Sequence, residues 1–220
     1  MNSRRRPARA AGAGVLAETE PLPQRRLTDD ELRDSLAATL SDWNRRSPLW
    51  VFGYGSLIWK PEFDFDLRVP ARVFGYHRKL CLRSIKYRGT AERPGVVAGL
   101  DRGGSCAGIA YRLPATVIHR QLPQLWEREM FMGSYAGRWL SARRLDGGGR
   151  VRALAFVVVP QGQNYCGHLD EAALVDVLSS ACGIYGSSLE YLQRTVAALH
   201  ADGLRDPHLE RLLALAQQAR

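Results

Sequence analysis

Two stretches of this 220-residue chain carry residues whose types and spacing suit chemistry. The first is the apolar run 49–59, which breaks into Gly53-Tyr54-Gly55-Ser56. Two glycines that accept positive φ, followed at once by a serine, let successive backbone N–H groups point into one concavity where a carboxylate or phosphate would sit. A plain glycine turn between two strands suits the same residues. Known phosphate motifs do not fit: Ile58 stands where a dinucleotide fingerprint has its third glycine, and no Gly-Lys-Ser/Thr follows. Tyr54 and Ile58 flank Ser56 where a nucleophile elbow has glycines, so Ser56 reads as a hydrogen-bonding wall rather than a nucleophile.

The second stretch is Glu127 and Glu129, set among Trp126, Met130, Phe131 and Met132. Two residues apart on a helix, the carboxylates point in nearly opposite directions, so only one faces a buried pocket easily. A glutamate beside so much apolar surface is desolvated, which raises its pKa toward neutrality and makes it a usable base; two solvated helix carboxylates are the other reading.

The order of motifs adds to this. Val51-Phe52-Gly53-Tyr54-Gly55-Ser56-Leu57-Ile58-Trp59, then Arg88-Gly89-Thr90, Glu92-Arg93-Pro94-Gly95 and Leu125-Trp126-Glu127-Arg128-Glu129, closely resemble the ChaC branch of the gamma-glutamylcyclotransferases. The resemblance implies an α+β fold with a small antiparallel or mixed β-barrel flanked by helices. It implies glutathione as substrate, cleaved to 5-oxoproline and Cys-Gly by attack of the substrate's own amine, with no cofactor and no metal. Glu129 matches the family's catalytic glutamate, Tyr54-Gly55-Ser56-Leu57 its substrate loop, with Val51, Phe52 and Gly53 carried beside it as substrate-binding, and Tyr135 a tyrosine near that pocket. Tyr165, in Gln163-Asn164-Tyr165-Cys166-Gly167, lies in a further ChaC-like motif. Arg88 and Arg93 sit in a loop before a strand, where either suits a substrate carboxylate or a solvated turn.

These residues need elements to hold them. Thr28 and Glu31 form a capping box, and Leu32, Leu36 and Leu40 mark one face of a helix running to about Trp43. Residues 67–83 read as an extended segment interrupted by Pro70, with Val69, Ala71, Val73 and Gly75 on one face. Residues 95–100 and 106–112 flank Asp101-Arg102-Gly103-Gly104 as one expected hairpin, and 139–145 pair with 151–159 around Asp146-Gly147-Gly148-Gly149 as a second. Consecutive hairpins point to an antiparallel sheet curled into a barrel. Between them residues 115–130 have helical periodicity with Pro123 as a break, and helices are expected over 169–182, 188–200 and from Asp206-Pro207 onward.

Composition bounds the rest. Hydrophobic residues make up 45% of the chain, enough for the core of one domain, here 27–220. The longest apolar run, 153–159, fits a buried strand and is too short to span a membrane. Net charge is +9, of which residues 1–26 supply +4 through six arginines against two glutamates, and this segment reads as a disordered basic tail. An arginine-rich surface also suits a non-catalytic binding module, whereas an anionic small substrate leads to no expectation of nucleic acid as partner. Cys81, Cys106, Cys166 and Cys182 are widely spaced and the five histidines lack ligand spacing, so neither zinc nor a disulfide framework is expected, and the setting expected is reducing and cytoplasmic.

Overall fold

The computed structural model describes residues 26–44 and 46–219. The tail expected over 1–26 therefore lies, apart from Arg26, outside the described residues.

Alternating apolar residues produce the strands that build the core. In chain order, β1 is Leu49–Gly53, β2 Leu67–Ser84, β3 Gly95–Leu113, β4 Tyr135–Arg144 and β5 Arg150–Val158. They close a barrel in the order β1-β3-β2-β4-β5, and closure comes from a parallel pairing of β1 with β5, Trp50 opposite Ala153 and Val51 opposite Leu154. Every other neighbour is antiparallel. A closed barrel leaves no sheet edge, and β1, only five residues long, has a hydrogen-bonded neighbour on each side.

The segment 95–112 is not the hairpin its glycines suggest. β3 runs unbroken through Asp101-Arg102-Gly103-Gly104 and pairs with β2 along both their lengths. The register shifts there: Phe74 faces Ser105 and Tyr76 faces Arg102, leaving Gly75 on one strand against Gly103 and Gly104 on the other. All three have positive φ (79°, 100° and 65°), so the glycines build a bulge that bends two long strands instead of reversing one. Val69, Ala71 and Val73 are buried as the alternation requires, while Gly75, in the bulge, is exposed. The second hairpin, β4 to β5, forms around Asp146 to Gly149 as expected.

Six helices complete the described fold: α1 Asp29–Thr39, α2 Ser56–Trp59, α3 Ala115–Met130, α4 Glu171–Ser180, α5 Ser188–Ala201 and α6 Pro207–Gln218. A two-stranded ribbon, β6 Cys182–Gly183 with β7 Gly186–Ser187, joins α4 to α5. Thr28 caps α1 in the expected box, but the helix stops at Thr39 rather than near Trp43. The Trp139 Nε1–H takes the Thr39 carbonyl at 2.8 Å, and Trp43 N–H turns to Leu40 instead. Pro123 does not break α3: it lies on the exposed side, where the carbonyl its ring leaves unpaired meets solvent.

Trp126 of α3 ties these layers together. It is 1% exposed, lies against Phe156 at 5.6 Å between ring centroids, and donates from Nε1 to Ser35 Oγ of α1 at 2.9 Å. The W126A protein is expected to lose about 3–5 kcal/mol of stability in urea unfolding, because the cavity adjoins β5, α1 and β4 together and has no single neighbour able to fill it.

Candidate active site

β1 delivers the glycine turn to the end of the barrel. Val51 and Phe52 are buried in the strand, and the chain leaves it through Tyr54 and Gly55 into the single turn of α2. The first hydrogen bond of α2 runs from Ile58 N–H to the Gly55 carbonyl. The N–H groups of Ser56 and Leu57 precede it, and among the described residues no side chain caps them. Two tyrosines fix the turn from inside: Tyr54 Oη–H donates to the Phe156 carbonyl at 2.7 Å, and Tyr111 Oη–H to the Leu57 carbonyl at 2.9 Å. At Gly55 a Cβ would stand 2.8 Å from the Tyr191 hydroxyl oxygen, so only glycine lets α5 approach this closely.

The end of α3 brings the carboxylate. Glu127 is exposed, whereas the Glu129 side chain is only 13% exposed, the opposed arrangement that helical geometry requires. Between them Arg128 fastens α3 to the segment after α2. Its guanidinium donates to the carbonyl of Lys60 and the carboxylate of Glu62, both at 2.8 Å, and to Ser56 Oγ at 3.3 Å. Its Nε also stands 3.2 Å from Glu129 Oε1. Burial pushes the Glu129 carboxyl above the usual carboxylate range; the Arg128 cation opposes the shift and the Glu62 charge adds to it.

Three tyrosine hydroxyls surround this carboxylate. Tyr135 Oη–H donates to the Ala98 carbonyl at 2.9 Å, and Tyr191 Oη accepts from the Ala98 N–H at 3.2 Å. Burial raises the pKa of Tyr54 and Tyr135 well above that of a free phenol and that of Tyr191 to about 12, with the Glu129 charge adding to each, so all three are neutral at physiological pH.

A cleft with about 260 Å³ of empty space, part of it open to solvent, is lined by Tyr54, Gly55, Ser56, Leu57, Glu129 and Tyr135 from the sequence reading. Ala98, Phe156 and Tyr191 complete it, and the sequence reading missed them. Their signal is faint: Ala98 and Phe156 sit in ordinary strand patterns, and Tyr191 falls on the apolar face of α5. Val51, Phe52 and Gly53, also expected to bind substrate, belong to β1 and are not among the residues lining the cleft.

Arg88 stands one layer behind, its guanidinium 5.9 Å from the Trp59 ring centre, 5.7 Å from that of Tyr191, and 3.6 Å from Glu190. Arg93 is tied to Asp176 and Ser180 of α4. Tyr165 lies outside the cleft lining, donating to Asp101 at 2.9 Å with Lys79 over its ring.

Fold and cleft together define a class: a small closed barrel with helices on its flank, holding one water-shielded carboxylate against a glycine turn. Residues 49–219 match the family described as ChaC-like protein, and the chain belongs to that family. It is 37% identical to the glutathione-specific gamma-glutamylcyclotransferase of Escherichia coli K12 over 81% of this chain and 77% of that one. It is 33% identical to glutathione-specific gamma-glutamylcyclotransferase 1 of Mus musculus, over 78% and 80% respectively. Among solved structures, a yeast gamma-glutamyl cyclotransferase specific to glutathione shares the fold with a TM-score of 0.72, at 22% identity over 79% of this chain and 97% of that one.

The opposing charges on Glu129 make its titration a direct readout of the cleft. In carboxyl ¹³C NMR the R128M protein is expected to show the Glu129 midpoint moved upward and the E62Q protein to show it moved downward, since one change removes a cation and the other an anion.

Proposed function

We propose that the protein is a gamma-glutamylcyclotransferase acting on glutathione, releasing 5-oxoproline and Cys-Gly. The observation that carries this reading is a desolvated glutamate, Glu129, facing the glycine turn at Gly55 across one cleft. The names of the relatives supply the substrate.

The chemistry is a ring closure. The α-amine of the gamma-glutamyl group attacks its own γ-carbonyl, a C–N bond forms in a five-membered ring, and the bond to the cysteine nitrogen breaks. The nucleophile belongs to the substrate, so the protein's tasks are to fold the substrate chain, move the two protons that the attacking nitrogen sheds to the departing one, and shelter the oxyanion. Holding the reactive conformer removes much of the barrier, because an intramolecular reaction needs only orientation. In this reading the N–H groups of residues 55–57 hold the α-carboxylate.

Glu129 attracts the α-ammonium and takes one proton to free the amine; after attack the ring nitrogen sheds a second, and the departing amide nitrogen takes up both to leave as an ammonium. The raised pKa of Glu129 brings it closer to that of the amine and eases the transfer. The hydroxyl hydrogens of Tyr54 and Tyr135 are committed to carbonyls, which leaves oxygen lone pairs for the ammonium. Tyr191 accepts from Ala98 and keeps its own hydrogen to donate, suiting the oxyanion or the leaving nitrogen. All four described cysteines are free thiols, which suits a reducing cytoplasmic setting, and no described helix is long and apolar enough to cross a membrane.

Incubation with glutathione is expected to yield 5-oxoproline and Cys-Gly in equal amounts by mass spectrometry, and E129Q to lower kcat by about 10²–10⁴. Free glutamate in place of 5-oxoproline would mean attack by water and would overturn the mechanism. Faster turnover of gamma-glutamyl-alanine than of glutathione would move the specificity to other gamma-glutamyl compounds. A folded-state pKa raised above the unfolded one means that Glu129 favours folding at low pH and that this contribution is lost as pH rises through the folded value. The E129Q protein is therefore expected to melt no lower than the parent at pH 7.

A further inference from the structure

Arg78 is an arginine in an unusual place. It belongs to β2, its side chain is 3% exposed, and its three nitrogens reach three separate segments of the chain. Nε donates to the Tyr54 carbonyl and Nη2 to the Ala107 carbonyl of β3, each at 2.5 Å, while Nη1 pairs with Asp206, the N-cap of α6. A buried guanidinium is costly unless paired, and this one spends one of its donors on the carbonyl of the residue just before Gly55.

That choice has a consequence through covalent geometry. The Tyr54–Gly55 peptide is planar and trans, so its C=O and N–H point in opposite directions. With the Tyr54 oxygen held on Arg78, the Gly55 N–H is turned away from Arg78, and among the described residues no acceptor is paired with it. The cation also draws electron density through the amide and strengthens that N–H as a donor. We infer that Arg78 is a positioning residue: by fixing the Tyr54–Gly55 peptide plane it aims the Gly55 N–H into the cleft as a donor to the α-carboxylate of the substrate. The inference rests on the reading of the glycine turn given above. Asp206 is the outer support, holding the guanidinium from the side away from the turn while capping α6.

A comparison of two substrates separates positioning from general support. Glutathione is compared with its analogue bearing hydrogen in place of the α-carboxylate of the gamma-glutamyl group, and kcat/KM is measured for both. The parent protein is expected to prefer glutathione by about 10²-fold or more, and R78M to reduce that preference by about tenfold or more. R78K, whose single ammonium cannot bridge two carbonyls as a guanidinium does, is expected to fall between.

If R78M slows both substrates by the same factor, so that the preference is unchanged, Arg78 only supports the fold and the inference is overturned. If the parent itself shows no preference, the carboxylate reading of the turn fails, a result distinct from the first. Should R78M not fold, D206N keeps the test open, because asparagine still caps α6 while the charge holding the guanidinium is gone. There the preference is expected to drop by about threefold, and an unchanged preference counts against the inference.

Discussion

A carboxylate removed from water is the constraint on which this structure depends. Glu129 gains its raised pKa from burial, and burial of a charged group is tolerated only when opposite charge and hydrogen bonds surround it. Arg128 provides the charge, and the price of holding it there is a chain of contacts reaching Ser56, the Lys60 carbonyl and Glu62. Glu129 and the turn opposite it are thus joined by one guanidinium. Neither the end of α3 nor the start of α2 is placed independently of the other.

The barrel supplies the rigidity that this arrangement requires. β1 is too short to hold its place alone, yet it is buried and bonded to β3 on one side and β5 on the other. What emerges from it, the turn at Gly55, inherits a fixed origin. Tyr54 then anchors to β5 through the Phe156 carbonyl, and Tyr135 and Tyr191 bond to the carbonyl and the N–H of Ala98 in β3. Each hydroxyl has its hydrogen-bonding direction set by a strand, so donor and acceptor roles toward the cleft are decided before any ligand arrives.

Much of this was legible in the residues. Capping signals located α1 and α6, helical periodicity located α3, and the Asp-Gly-Gly-Gly hairpin between β4 and β5 formed where turn chemistry put it. Two of the misreadings share one cause. Asp101-Arg102-Gly103-Gly104 has the composition of a turn, but positive φ serves a bulge as well as a reversal, and pairing with the whole of β2 chose the bulge. The end of α1 was settled in the same way, by Trp139 reaching Thr39 from a strand about a hundred residues away in sequence.

By itself the sequence determined the local matters: the glycine turn, the apolar setting of Glu129, the opposed directions of Glu127 and Glu129, and the helix caps. These follow from backbone freedom, periodicity and short-range hydrogen bonding, which depend on neighbours in the chain. Only the tertiary structure decided that Tyr191 of α5 and Ala98 of β3 join the cleft, that Tyr165 stands apart from it, and that Arg78 and Arg128 brace the turn from two sides. Those outcomes depend on closing a five-stranded barrel through a parallel β1–β5 pair, a contact between residues far apart in sequence that no local pattern encodes.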